Sequence, residues 1–246
     1  MSTMTHKDEA FKSKIKKASD FKFGEKVVKV FDDMVNRSVP YYEEMQRMIA
    51  EIAVDYAQPH TNIYDLGCST GTSLLHMDAV VPPEINFVGI DDSPEMLIKC
   101  HNKLAEANFS HPYQLHYGDL NAGVQINNAS VVVLCLTLQF VRPVYRERLL
   151  KVIVDGLVPN GVIILFEKVL GEECELNRNF IKYYYDMKRR HNYSEVEIAQ
   201  KREALENVLI PYKQSENILM LRETGFAHCE PIFKWYNFSG LIAIKR

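Results

Sequence analysis

The sequence predicts a Rossmann-like α/β fold. Its sheet is mostly parallel and seven-stranded, with cover helices ahead of it and a C-terminal antiparallel hairpin. Three observations predict this. The stretch Asn62-Ile-Tyr-Asp-Leu-Gly-Cys-Ser-Thr-Gly71 reads as a strand, a tight turn and the start of a helix. Strand and helix patterns then alternate as far as Val169. Finally, two strand-like runs, Cys229–Trp235 and Gly240–Ile244, are joined by a linker short enough to require antiparallel pairing.

Size and composition set outer bounds. The 246 residues suffice for one large α/β domain or two small ones. No repeat or linker divides them, so residues 1–20 read as a loose polar terminus and 21–246 as a single domain. A hydrophobic share of 47% with 11 Gly and 10 Pro excludes a disordered or fibrous chain. The longest apolar runs, Val131–Leu136 and Val162–Phe166, have strand length and cannot span a bilayer. Met1–Asp8 contains no apolar signal core. Five scattered cysteines suit a reducing cytoplasm better than a disulfide framework. No Cys/His spacing fits zinc, so no metal is expected. A net charge of −3 lacks the basic footprint of a nucleic-acid binder. The clusters Lys12–Lys17 and Lys188–Arg190 read as solvated faces.

The elements follow in order. Phe23–Ala57 has helical periodicity interrupted at Pro40, with Ser38 placed to cap the second helix. These two helices are expected over the carboxyl edge of the sheet. Asn62–Leu66 is the first strand and Thr72–Met77 the next helix. Ile85–Ile90 is the second strand. Ser93 caps, and Pro94 opens, the helix through Ala107. Tyr113–Tyr117 is the third strand. Ala129–Leu136, apolar throughout, is a central parallel strand. Tyr145–Leu157 is amphipathic and stops at Val158-Pro-Asn-Gly161, and Gly161–Val169 is the fifth strand. Glu172–Arg190 is helical. Ser194-Glu-Val-Glu197 is a capping box that opens a helix to about Val208. Ser215–Thr224 is a last helix, ended by Gly225.

Ligands of open α/β sheets sit at the carboxyl ends of the strands, where this chain concentrates its polar signals. Glycine in the Gly67–Gly71 turn allows positive φ or close ligand approach, and the following helix presents free N–H groups. Asp91 or Asp92, after the second strand, suits two ribose hydroxyls. Asp119, after the third, can accept from an adenine amine. Helix capping is the structural alternative for Asp91 and Asp92, and a turn role for Asp119. The turn has no Gly at position 69, which disfavours a dinucleotide.

The form Asp65-x-Gly67-x-Ser69-x-Gly71 resembles the S-adenosylmethionine motif of class I methyltransferases, which implies that fold. A narrower resemblance covers nearly the whole chain. Its segments are Phe31-Asp-Asp-Met-Val-Asn-Arg-Ser-Val-Pro-Tyr-Tyr42, Tyr64-Asp-Leu-Gly-Cys-Ser69, Thr137-Leu-Gln-Phe140, and Asn192–Arg202 continuing to Leu205-Glu-Asn-Val208. These are similar to the carboxy-S-adenosylmethionine synthase family. The resemblance implies that S-adenosylmethionine and prephenate give carboxy-S-adenosylmethionine and phenylpyruvate. The product then serves a tRNA-modifying carboxymethyl transferase acting on a wobble uridine. It also implies a homodimer, no direct nucleic-acid binding and no membrane. The family's ligand contacts map to Tyr42, Gly67, Cys68, Ser69, Asp91, Asp92, Asp119, Leu120 and Arg202.

Arg202 is the candidate catalytic residue, because its planar, permanently charged fork suits a carboxylated methyl group. The alternative for it is a surface pair with Glu206; for Tyr42 it is packing between the cover helices. Arg37 is a further candidate for the anionic substrate. On this reading prephenate loses carbon dioxide and hydroxide as it aromatises. The hydroxide deprotonates the sulfonium methyl, and the resulting carbon captures the carbon dioxide. The protein positions and desolvates, without a metal or a covalent nucleophile. Cys68 and Cys135 read as buried, inert thiols. One departure stands out: Cys135-Leu136 replaces the family's usual Asn-Phe, and with it a polar ligand contact. The Tyr183-Tyr-Tyr185 cluster is expected at a subunit interface. Two other readings stay open, an ordinary S-adenosylmethionine methyltransferase acting on a small acceptor and a non-catalytic S-adenosylmethionine-binding module.

Overall fold

The structure, a computed structural model, describes residues 25–246, with side chains from Val28 onward. The expected loose terminus, 1–20, lies outside the described residues. One seven-stranded sheet organises the chain in the order β3-β2-β1-β4-β5-β7-β6. The strands are β1 (Asn62–Leu66), β2 (Asn86–Asp91), β3 (Tyr113–Tyr117), β4 (Ala129–Cys135), β5 (Leu157–Lys168), β6 (His228–Trp235) and β7 (Phe238–Ile244). The first five are mutually parallel. β7 inserts antiparallel beside β5, and β6 pairs outside it, so the hairpin forms one edge as expected. Strand order reverses between β1 and β4, where such sheets open a crevice.

The described residues form eight α-helices: α1 (Glu25–Ser38), α2 (Tyr42–Tyr56), α3 (Thr72–Asp78), α4 (Pro94–Glu106), α5 (Pro143–Gly156), α6 (Cys174–Arg190), α7 (Glu195–Leu205) and α8 (Gln214–Glu223). Period-2 alternation sends Ile63, Phe87, Val131, Val133 and Ile164 to one face, against Met45, Ile49, Leu74 and Leu104 of α2, α3 and α4. Leu66, Val132, Leu134 and Ile163 face α5 and α8 through Leu150, Ile153 and Leu221. Both faces are covered, which explains the unbroken apolar run of β4.

Ser93 caps α4, accepting from the Met96 N–H at 3.2 Å, with Pro94 in the first turn. The Ser194/Glu197 capping box opens α7. Several details differ from expectation. Ser38 does not cap α2. It ends α1, donating its hydroxyl to the Met34 carbonyl at 2.5 Å, while Tyr41 in the left-handed region (φ 54°) starts α2. Of the two N-terminal helices, α1 lies over the carboxyl edge, whereas the apolar stripe of α2 packs on the sheet face and Tyr42 at its start reaches the cavity. β5 begins at Leu157 rather than Gly161: Leu157 is buried and pairs with Ala129, and an irregular register absorbs the Pro-Asn-Gly segment. α7 stops at Leu205, short of Val208, because Glu206 turns extended and Asn207 takes a φ of 61°.

Candidate active site

All nine sequence-predicted site residues line one cavity at the carboxyl ends of the strands: Tyr42, Gly67, Cys68, Ser69, Asp91, Asp92, Asp119, Leu120 and Arg202. Its volume is about 1080 Å³, at the upper end for a small-molecule site. It therefore has room for a nucleoside-sized ligand and a second small molecule.

The turn is tightly built. Gly67 and Gly71 both have φ of 78°, and a Cβ on Gly67 would lie 2.5 Å from Thr137 Oγ1. Ser69 holds a φ of 49° without being glycine, a strained conformation kept in place by its surroundings. Its N–H donates to Asp91 Oδ2 at 2.9 Å. The Gly67 and Cys68 amides donate to the Ile90 carbonyl, and Gly71 donates to the Cys68 carbonyl. These four amides are thus committed inside the protein. What the turn offers a ligand is a closely packed backbone surface on the cavity, more than a nest of free N–H groups.

The acidic half sits at the ends of β2 and β3. The Asp91 oxygens accept from the Ser69 and Ser93 amides, so Asp91 braces the turn as well as facing the cavity. Burial pushes its carboxyl up, against those hydrogen bonds. Asp92 is exposed, with its carboxyl raised by burial and then by Asp119. The capping role falls to Ser93, leaving Asp92 turned to the cavity. Asp119 accepts from the Asn121 amide at 2.8 Å and its side chain at 2.9 Å, so it serves the turn and still lines the cavity. Acceptor groups gathered at the ends of two neighbouring strands suit a ligand rich in hydrogen-bond donors.

Beneath this half, Asp65 is buried and pushed up to about 7 by burial, with Asp91 adding to the effect. Tyr42 is pushed well up by burial, with Cys135 and Asp65 contributing. The Cys68 thiol is raised by its hydrogen bond with Cys100 and by burial, and Cys135 is raised chiefly by burial. Both match inert thiols rather than nucleophiles. Cys135 sits where the family resemblance implies Asn, and its sulfur accepts from the Gln46 amide at 3.5 Å.

The opposite wall is cationic. Lys168 at the end of β5, Lys188 of α6, and Lys201 and Arg202 of α7 all line the cavity. Arg202 is exposed at the mouth. It makes no ion pair with Glu206 among the described residues, because the helix ends before Glu206 can complete an i,i+4 geometry. Lys168 and Lys201 escaped the sequence reading, as did Gln46 and Asn237; Lys188, expected with Arg189 and Arg190 on a solvated face, is instead buried, its side chain drawn over the Tyr184 ring. The available signal was position: Lys168 immediately follows a buried strand, where sites of this fold gather.

Other expectations resolve differently. Arg37 is not on the cavity wall. Its guanidinium donates to the His191 and Asn192 carbonyls, pairs with Asp33 at 3.2 Å and lies over the Tyr193 ring, fastening α1 to the α6–α7 turn. In Tyr183-Tyr-Tyr185, Tyr184 and Tyr185 line the cavity, and Tyr184 donates to the Ser38 carbonyl at 3.0 Å. Tyr183 points outward and packs on Tyr236. Thr137-Leu-Gln-Phe140 is mainly a brace. The Leu138 amide donates to buried Glu167 at 2.9 Å, and Gln139 binds the Leu136 carbonyl and the Lys168 amide. Burial pushes Glu167 up to about 8, against the pull of Arg146 and the surrounding amides.

A methyltransferase-domain family model matches residues 63–161. The carboxy-S-adenosyl-L-methionine synthase of Methylococcus capsulatus is 55% identical over 240 residues, covering 97% of this chain and 99% of that protein. The synthase of the same name from Desulfotalea psychrophila is 44% identical, covering 93% of each chain. That from Helicobacter pylori strain Shi470 is 43% identical, covering 97% of this chain and 99% of its own. Among solved structures, an O-methyltransferase family protein from Burkholderia thailandensis superposes with a TM-score of 0.65 at 14% identity. It covers 88% of this chain, which spans only 60% of that longer one. The YcgJ protein of Bacillus subtilis gives 0.62 at 11% identity, covering 83% of this chain and 99% of its own. The structural likeness establishes the Rossmann-like class I methyltransferase fold. With more than half its residues shared along nearly its full length, the chain belongs to the carboxy-S-adenosyl-L-methionine synthase family.

Proposed function

We propose that the protein converts S-adenosyl-L-methionine and prephenate to carboxy-S-adenosyl-L-methionine and phenylpyruvate. The observation that carries this reading is the division of one cavity into an acidic half and a cationic half. Asp91, Asp92 and Asp119 suit the hydroxyls and amine of an adenosyl ligand. The cationic wall suits a dianionic second substrate and a carboxylated product. On this reading the ligand lies against the Gly67–Gly71 turn, whose packing on Thr137 leaves no room for a Cβ on Gly67.

S-adenosylmethionine supplies a methyl group acidified by its sulfonium. The chain's own residues bind, orient and exclude water. Arg202 holds the new carboxylate by a bidentate, charge-assisted pair. Cys68 and Cys135 take no covalent part. Homodimer formation, a cytoplasmic location and supply of the product to a tRNA-modifying carboxymethyl transferase belong to the same reading. No helix among the described residues is long and apolar enough to cross a membrane.

The test is to incubate the purified protein with S-adenosylmethionine, with and without prephenate, and follow products by mass spectrometry. Carboxylated S-adenosylmethionine with phenylpyruvate is expected. S-adenosylhomocysteine with a methylated acceptor would mean an ordinary methyltransferase, and binding without turnover a non-catalytic module. Arg202→Ala is expected to abolish retention of the carboxylated product while sparing S-adenosylmethionine binding. Arg202→Lys should restore little, since an ammonium lacks the fork.

A further inference from the structure

We propose that Lys168 and Asn237 form the carboxylate seat for the second substrate, a small dianionic acid, on the side of the cavity away from the adenosyl ligand. This rests on the reaction proposed above and assigns it a subsite.

Four observations meet at this place. First, topology sets the position. β5 is separated from β1 by β4, so its carboxyl end lies beyond the switch point from Asp91 and Asp92. Lys168 is the last residue of β5, and its Cα pairs with that of Phe238 in β7. The Val169 amide donates to the Asn237 carbonyl at 2.8 Å. Lys168 and Asn237 are thus neighbours across one strand pair, and both line the cavity.

Second, Lys168 has no acidic partner among the described residues. Its ammonium lies 4.9 Å from the centre of the Tyr184 ring. It reaches water only through the cavity, and burial alone pushes it down to about 8. An ammonium in that position is stabilised by an anion entering from the cavity.

Third, Asn237 is buried, and neither its carboxamide nitrogen nor its oxygen has a hydrogen-bond partner. An orphaned buried amide is costly in the empty protein. A carboxylate can accept from its nitrogen and from the Lys168 ammonium together.

Fourth, further cations line the same wall. Lys188, buried in α6, lies 4.8 Å from the same Tyr184 ring, and buried Lys201 donates to Ser38 Oγ at 3.3 Å. Arg202 stands at the mouth of the same wall. A dianion can therefore place one carboxylate on Lys168 and Asn237. Its departing carboxyl is left nearer the turn, where the methyl group lies.

The experiment is steady-state kinetics with prephenate on the full chain, comparing the wild type with Lys168→Met, Lys168→Arg and Asn237→Leu. Calorimetric binding of S-adenosylmethionine to each variant is the control for folding and for the adenosyl half. In Lys168→Met the KM for prephenate is expected to rise tenfold or more, with S-adenosylmethionine affinity within twofold of wild type. Lys168→Arg should recover part of the loss, and Asn237→Leu should raise KM several-fold. An unchanged KM in Lys168→Met overturns the assignment, as does an equal loss of affinity for both ligands. If Lys168→Met does not fold, the same comparison is made with Lys168→Gln. If the wild type itself does not turn over prephenate, the reaction reading fails. Calorimetric titration of prephenate into the S-adenosylhomocysteine complexes of wild type and variants then decides the seat separately. Loss of binding in the variants supports it, and equal or absent binding overturns it.

Discussion

Thr70 Oγ1 donates to the Asp32 carboxylate at 2.6 Å, and through this bond α1 is fastened to the ligand turn. Lys99 and Lys103 of α4 reach the same carboxylate, each at 3.3 Å. Burial opposes ionisation of Asp32. Lys103, Thr70 and Lys99 outweigh it and hold the carboxyl below its ordinary value. One side chain thus joins the cover helix, the turn and the helix after β2. Asp32→Ala is expected to lower the melting temperature and weaken S-adenosylmethionine binding about tenfold, the scale of a hydrogen bond to a charged group. Thr70→Val should show a smaller loss of the same kind. Calorimetry and ligand titration check both, and unaltered affinity in Asp32→Ala would mean that this bond does not hold the turn in its ligand-binding form.

The second prediction concerns Gly67. A Cβ there would meet Thr137 Oγ1 at 2.5 Å and Cγ2 at 2.6 Å, on a backbone with φ of 78°. Gly67→Ala should therefore lose most ligand affinity and several degrees of melting temperature. Thr137→Ala in the same chain removes both clashing atoms. It should recover part of the loss, leaving a backbone cost of about 1–2 kcal/mol. A double variant no better than Gly67→Ala would show that the clash is not the cause.

Local signals and long-range pairing explain which parts of the site could be read from sequence. The acidic half is local. Asp91 ends β2, Asp92 follows it, Asp119 comes just after β3, and Ser93–Pro94 announces the next helix. The cationic wall is non-local. Lys168, Lys188 and Lys201 come from three elements brought together by insertion of β7 between β5 and β6. No period or cap encodes that pairing. Ser38 was misread for a related reason: a serine before a proline can end one helix as well as begin the next, and packing of α1 decides. Arg37 lies close to the site in sequence, yet the α6–α7 turn claims its guanidinium.

The third prediction is a pH dependence. Buried Asp65 is held up to about 7, far above an unfolded carboxyl, so the folded protein binds the extra proton. Its contribution to stability is fully present below the unfolded value near 3.9. It declines as pH rises from there to about 7, because ionisation then places a charge in the interior. Asp65→Asn cannot ionise. Melting temperature of the ligand-free wild type should fall from pH 5 to pH 8 more steeply than that of Asp65→Asn. The difference should be on the order of a few kcal/mol at the alkaline end. Parallel curves would place the Asp65 carboxyl at an ordinary value.

The last prediction takes up the departure at the end of β4. Gln46 is wholly buried, its Oε1 has no partner, and its Nε2 finds only the Cys135 sulfur at 3.5 Å. Sulfur is a weak acceptor, and an orphaned buried oxygen costs about 1–3 kcal/mol. The family resemblance implies Asn at position 135. An Asn there could donate to Gln46 Oε1 and accept from Gln46 Nε2. Its extra volume can extend into the cavity that Cys135 already lines. Cys135→Asn is therefore expected to raise the melting temperature and tighten S-adenosylmethionine binding several-fold. Gln46→Leu should also stabilise the protein by removing the orphaned amide, but without the gain in affinity. The two changes together should be less stable than either alone, because the new Asn then has no amide to pair with. Additive effects in a double-mutant cycle would show that positions 46 and 135 do not interact, whereas destabilisation by Cys135→Asn alone would show that the strand end cannot admit the larger side chain.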